Sequence, residues 1–445
     1  MKYTSFQEII EQGKRNYGDA PAVRFINSSG MLHELSYNEL YERVMDRVQR
    51  LKETNCSCVG IYGPASPEWI IDFFAAPIAG KRTVLLDPAM TREETQRRIT
   101  DFEIEAVLPS NVGFMTVKEG TASKEACGDI LVFSSGTTSA DKAVVLSQKA
   151  LAYSAWNGQQ MLACGKDDVI VAMLPLNHVF GLVCTVLWPL CNGAVTALGR
   201  GMRYYTEDPA AYHTTILVMV PTLLNYLLAT ESFSRECHTI LLGAAPCSER
   251  VFQAIREKKI RLSYGYGLSE TASGLAISVD AEDPAALDLC PDTKITIAED
   301  GEVLVETPCM MEGYWRKPED TAAVLQNGVL HTGDLGELDE QNRLHLKGRK
   351  NDVLVLSNGE KVYLPEVEQK LNELLDEEAA LVLLYDTLTI VVGHNKDADA
   401  VKQAVDQFNE TQPLSKRIMN IRVIEGSLPR TATGKLKRWK LEELL

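Results

Sequence analysis

An apolar run, Ile130-Leu131-Val132-Phe133, opens into Ser134-Ser135-Gly136-Thr137-Thr138-Ser139-Ala140-Asp141 and closes on Lys142. Hydroxyls and exposed N–H groups are donors suited to phosphate oxygens, and a lysine supplies the opposing charge. The GxxxxGK[ST] pattern of a Walker loop is absent, and a Ser/Thr/Gly run is equally an ordinary surface loop. Tyr264-Gly265-Tyr266-Gly267-Leu268-Ser269-Glu270-Thr271 sets a flat aromatic beside glycine, with a carboxylate just beyond. Such a ring could stack on adenine and the carboxylate could hold Mg2+, although a glycine turn with a structural tyrosine is the plainer reading. His331-Thr332-Gly333-Asp334 and Gly348-Arg349-Lys350-Asn351-Asp352 bring a carboxylate and a guanidinium, which together could grip the two hydroxyls of a ribose. Alone, an Asp after a Gly is most often a turn residue. Finally, Pro429-Arg430-Thr431-Ala432-Thr433-Gly434-Lys435-Leu436-Lys437-Arg438 is a basic cluster on an acidic chain, which taken singly is a solvated charged end.

The elements that must position these stretches follow from hydrophobic periodicity. The first hundred residues alternate helix (37–53, 67–79, 93–102) with short buried strand (59–62, 83–86). The rhythm resumes with strands at 215–220 and 239–242 and helices at 222–229 and 248–258, and βαβα alternation predicts parallel sheets covered by helices. After about Pro291 the texture turns to antiparallel strands at 294–298, 302–306 and 343–347, divided by polar turns. After Arg349 comes a compact α+β piece: helices at 366–375 and 398–409, strands at 380–385, 388–393 and 420–425, with a tight turn at Asp386-Thr387.

The 445 residues suffice for two or three domains, and 45% hydrophobic with 24% charged residues is an ordinary globular composition. A formal net charge of −16 disfavours nucleic acid and anionic membrane surfaces as partners. The ten cysteines are scattered without zinc-ligand spacing, which predicts reduced, buried thiols. Residues 1–15 lack an apolar signal core, and the most hydrophobic stretch, 169–198, carries too many prolines and polar groups for a membrane span. The expected address is the cytoplasm.

In this order, and almost end to end from Ser36-Tyr37-Asn38-Glu39-Leu40 to Arg438, the motifs resemble those of the adenylate-forming (AMP-binding) superfamily of acyl-CoA synthetases, adenylation domains and luciferases. Leu174-Pro175-Leu176-Asn177-His178-Val179-Phe180-Gly181 is similar to its acid-site motif, and Gly243-Ala244-Ala245-Pro246 to part of its adenine site. Gly301-Glu302-Val303 through Gly313-Tyr314-Trp315 follow at family spacing. The resemblance implies an α/β fold: a large N-terminal domain (1–348) of two parallel-type sheets flanked by helices with a small β-barrel-like subdomain, a hinge (349–352), and a small mobile α+β C-terminal domain (353–445). It implies that Ser134, Ser135, Gly136, Thr137, Thr138 and Lys142 surround the β- and γ-phosphates of ATP. Tyr266, with Gly243, Ala244, Ala245 and Gly267, would meet the adenine, and Ser269 the α-phosphate. Glu270 and Thr138 would serve Mg2+, Asp334 and Arg349 the ribose, and His178 the acid pocket. Lys435 would bridge the substrate carboxylate and α-phosphate in the transition state.

The implied activity is two-step acid–thiol ligation: a fatty or aryl acid becomes acyl-AMP, then passes to CoA entering along Ser357-Asn358-Gly359. Two alternatives stand beside it. One is transfer to the phosphopantetheine arm of an acyl carrier protein; the other is a non-catalytic nucleotide-binding relative. Ser139, Asp141 and Ala143 depart from the usual glycine, proline and glycine, a pattern nearest the long-chain fatty acid CoA ligase branch. Asn351 stands where a hinge Asp or Lys is common.

Overall fold

The computed structural model describes residues 2–109, 115–116, 128–133, 142–244, 249–280, 283–356, 361–375, 379–384, 387–393, 398–430 and 436–444. The expected mixed α/β architecture is present. A nine-stranded sheet runs in the order Asp288–Leu289, Ser273–Val279, Arg261–Leu268, Thr239–Leu242, Ile216–Met219, Val169–Ala172, Val195–Leu198, Pro21–Ile26, Leu32–Ser36. Its interior pairings, from Arg261–Leu268 across to Pro21–Ile26, are all parallel, and antiparallel strands close both ends. A seven-stranded sheet repeats the plan, with a parallel centre of Ile130–Phe133, Arg82–Leu85, Cys58–Tyr62 and Ala106–Pro109.

Strands such as Val169–Ala172, Ile216–Met219 and Thr239–Leu242 are buried at every residue, as strands covered on both faces must be. The covering helices start where the sequence can cap them. Ser36 and Glu39 form a reciprocal capping box at the head of Tyr37–Lys52, satisfying two backbone donors that the first turn leaves open. One large apolar core joins both sheets through the helices Phe6–Tyr17, Tyr37–Lys52, Pro67–Ile78 and Gln148–Met161.

A buried ion pair sits within this layer. Asp72, 0% exposed, is bonded by Arg47 of the preceding helix, and burial raises its carboxyl pKa to about 7 despite the guanidinium. Arg47→Ala removes the partner and leaves the acid buried. Because that carboxyl can take up a proton instead of staying charged, the expected cost near neutral pH is about 1 kcal/mol, that of a lost hydrogen bond, read as a lower urea midpoint at unchanged slope.

Beyond residue 290 a five-stranded antiparallel sheet forms, in which Glu302–Glu306 pairs with Val329–Leu338, itself paired with Leu344–Arg349. The C-terminal part is built from the hairpin Val353–Val355/Lys361–Tyr363 and the sheet Ala380–Leu384, Thr387–Gly393, Asn420–Ile424, against the helices Leu364–Leu375 and Ala398–Glu410. Its apolar residues form clusters of their own, apart from the large core. Arg438 ties this unit together, bonding Glu368 and Asp352 at 2.7 Å each. No described helix is long and apolar enough to cross a membrane, and the segment 169–198 is buried core as expected.

Candidate active site

Where the nine-stranded sheet meets the antiparallel one, a cleft of about 250 Å3 opens. Its polar wall includes Tyr266, Ser269, Glu270, Tyr314, Thr332 and Arg349. Its other lobe is mainly hydrocarbon and sulfur, with Met161, Leu162, Val183, Cys184, Trp188 and Ile277. Two distant motifs of the sequence thus share one cavity with the stretch around His178, whose half-buried ring lines the junction.

The strand Arg261–Leu268 delivers Tyr266 and Gly267, and a short 3-10 turn, Ser269–Thr271, then exposes Ser269 and Glu270 to the cleft. Gly267 is required here. A Cβ at that position would lie 1.6 Å from the Ser273 carbonyl oxygen, so only glycine lets the two strands approach. At the end of Thr239–Leu242, a Cβ on Gly243 would fall 2.8 Å from the Phe180 ring, so a larger residue there would have to displace that side chain. Ala244, also lining the cleft, has φ 69.

Asp334, a turn residue by local sequence, is instead a strand residue in register with Arg349. It is 5% exposed, and Arg349 Nε meets its Oδ1 at 2.8 Å while the Tyr266 hydroxyl donates to Oδ2 at 2.6 Å. Asp334 itself is not among the residues lining the cleft, but both partners of its carboxylate, Tyr266 and Arg349, are. Burial, and then the adjoining Asp334 charge, push the Tyr266 phenol well above its ordinary pKa, so it stays a donor. Glu302 fixes the strand backbone just before Asp334: its Oε1 accepts the Gly333 N–H at 2.8 Å, and its Oε2 takes Lys350 Nζ at 2.7 Å. Lys350 also reaches Asp300 Oδ2 at 2.6 Å.

Glu270 accepts a hydrogen bond from the Tyr314 hydroxyl at 2.8 Å. Lys142 stands 4.9 Å from the centre of the same Tyr314 ring and 3.4 Å from Asp320, so it neighbours the Glu270 corner without lining the cleft. Among the described residues no group of three or more His, Cys, Asp or Glu side chains could cage a metal. A lone carboxylate such as Glu270 suits Mg2+, whose remaining ligands are triphosphate oxygens and water. Ser134, Ser135, Gly136, Thr137, Thr138, Ala245, Lys435 and Ser357-Asn358-Gly359 lie outside the described residues. All eight described cysteines are free thiols, and seven are buried, Cys184 being half-buried.

Sequence reasoning overlooks Tyr314 as the partner of Glu270, Lys350 and Glu302 as a pair, and Ser154 and Ser273 in the cleft. The only signal was the placement of Tyr314 and Glu302 in family-spaced motifs, which gives no contact.

A family model described as AMP-binding enzyme matches residues 10–129 and 121–315. The chain belongs to the AMP-binding enzyme family. Within it, the chain is similar to an indoleacetate–CoA ligase of Aromatoleum aromaticum, 28% identical with 98% of each chain covered. It is also similar to a 2-succinylbenzoate–CoA ligase of Geobacillus kaustophilus, 29% identical over 71% of this chain and 69% of that one. Among solved structures, o-succinylbenzoate CoA synthetase from Bacillus subtilis in complex with its acyl-adenylate intermediate superposes with TM-score 0.84 at 22% identity, covering 98% of this chain and 97% of that one. An anthranilate CoA ligase in complex with anthranoyl-AMP gives 0.84 at 18%, covering 100% and 97%. These likenesses confirm the fold of a large N-terminal and a smaller C-terminal domain. They do not single out the long-chain fatty acid branch.

Proposed function

We propose that this AMP-binding enzyme is an acid–thiol ligase that activates an aryl monocarboxylic acid with ATP and transfers the acyl group to CoA. The observation that carries the reading is the single cleft joining a nucleotide-type wall to an apolar lobe. Relatives named for indoleacetate and anthranilate point the same way, and one named for 2-succinylbenzoate shares the aryl acid but carries a second carboxylate. Arg349, committed to Asp334, is the only Lys or Arg among the described lining residues. A second carboxylate on the acid would therefore be desolvated in the apolar lobe without a counter-charge.

In the first half-reaction the acid's carboxylate oxygen bonds to the α-phosphorus of ATP and pyrophosphate leaves. This chain's part is to hold the reactants in line and to stabilise charge as it builds. Arg349 and Asp334 grip the ribose, Tyr266 flanks the adenine, and Ser269 meets the α-phosphate. Ser134, Ser135, Gly136, Thr137, Thr138 and Lys142 receive the outer phosphates. Glu270, with Thr138, would hold Mg2+, which when bound neutralises phosphate charge. Lys435, a compact cation, bridges the carboxylate and α-phosphate. In the second half-reaction a thiol attacks the acyl carbonyl and AMP departs, with residues 353–445 turned about 349–352 to admit it. CoA is the proposed acceptor; nothing in the relatives' names favours an acyl carrier protein. The cytoplasm remains the proposed location.

Acid-dependent pyrophosphate exchange tests the reading. Exchange is expected with aryl acetates or benzoates and to be weak with 2-succinylbenzoate; none over a panel that also spans acetate and fatty acids would leave a non-catalytic relative. Lys435→Ala is expected to lower exchange about a hundredfold or more, while thiolysis of supplied acyl-AMP stays within a few-fold. Equal loss of both steps would refute its assignment to the first alone.

A further inference from the structure

The apolar lobe of the cleft contains two serine hydroxyls that the protein leaves poorly served. Ser154 lines it from the helix Gln148–Met161, is 3% exposed, and its buried Oγ has no hydrogen-bond partner. Ser273 lines it at 5% exposure, and its Oγ meets Cys184 Sγ at 3.9 Å, a weak contact. Buried hydroxyls without good partners are expensive and scarce in native proteins. Here irregular backbone presents the second pair. Cys184 belongs to the π-helical turn Val183–Leu187, while Ala272 and Ser273 have φ 49 and 105. Both kinds of irregularity cluster at functional sites. The Gln148–Met161 helix packs against both segments, so Ser154, Cys184 and Ser273 all line the one cleft. Trp188 cannot serve these hydroxyls, because its Nε1 already donates to Gln159 Oε1 at 2.9 Å.

We infer that the ring of the acid carries one neutral hydrogen-bonding group, a hydroxyl or a ring N–H, received by Ser154 with Ser273 and Cys184 beside it. The inference rests on the ligase reading above and names Ser154 as a specificity-determining residue. A hydroxyl is both donor and acceptor, so it serves either substituent. A neutral group suits the lobe, whereas an ionised one would find no Lys or Arg other than Arg349 among the described lining residues.

The test is pyrophosphate exchange on matched acids, 4-hydroxyphenylacetate against phenylacetate and indole-3-acetate against 1-naphthylacetate. The wild-type protein is expected to prefer the hydrogen-bonding member of at least one pair by about tenfold in kcat/KM. Ser154→Ala brings that preference to within about twofold, lowering kcat/KM for the hydrogen-bonding member much more than for the plain acid. Ser154→Cys, close in shape but a weak donor, falls between. The inference is overturned if the wild type favours the plain acid in both pairs, or if Ser154→Ala lowers both members equally or leaves the preference intact. Exchange with no preference sinks this inference alone; no exchange with any acid sinks the ligase reading with it.

Discussion

Asp334→Asn is expected to lower kcat/KM for ATP in pyrophosphate exchange by about a hundredfold or more. The substitution preserves shape and removes charge. Two effects then combine. The ribose loses an ionised acceptor, and charge-assisted hydrogen bonds are each worth about 1.5–3 kcal/mol. Arg349 and Tyr266, held at 2.8 and 2.6 Å from the native carboxylate, also lose the partner that aims them along the cleft wall. A substrate change separates the two. With the native protein, 2′-deoxy-ATP should cost about tenfold, because one hydroxyl is missing while the Arg349–Asp334–Tyr266 set is intact. If 2′-deoxy-ATP serves as well as ATP and Asp334→Asn is benign, the ribose assignment is wrong.

Gly267→Ala is expected to cost at least about 3 kcal/mol in stability, the upper range for overpacking, and to remove measurable adenylation. The new Cβ would meet not a side chain that could swing away but the Ser273 backbone, 1.6 Å from its oxygen and 2.4 Å from its carbonyl carbon. The strands Arg261–Leu268 and Ser273–Val279 must part, and the register shift between Tyr266 and Gly267 lies at that point. Parting them displaces Tyr266, Ser269 and Ser273 together. Gly274→Ala is the control: a Cβ there has nothing within 4 Å, so stability should move by less than about 1 kcal/mol. Equal melting of the two variants would show that the close approach at Gly267 is unimportant.

The scaffold was largely legible because its signals are local. Four-residue apolar runs such as Ile216–Met219 announce buried parallel strands, and Ser36 with Glu39 announces a helix start. The motifs around Tyr266, Asp334 and Arg349 were legible as chemistry, and the cleft unites them. What stayed hidden is pairwise and long-range. The Asp334 strand could not be seen, because its register with Arg349 depends on a partner strand rather than on neighbouring residues. Tyr314 and Glu270 are 44 positions apart, and only the folded sheets bring their oxygens together. Ser154 in sequence is one more small residue on a helix; its meaning comes from having nothing to bond.

The salt links around Lys350 and Asp352 bear on how the two lobes can move. Lys350 is anchored to Asp300 and Glu302 of the larger lobe, and Asp352, two positions on, to Arg438 of the smaller one. If the smaller lobe turns about 349–352 as proposed, a swivel that keeps both anchors falls on the torsions of residues 350–352. A wider excursion has to unlatch Lys350 first, and its more exposed tie to Asp300 is the kind that added salt weakens. In the proposed two-position cycle, ionic strength is therefore expected to act on the reach of the smaller lobe before it touches either lobe's interior.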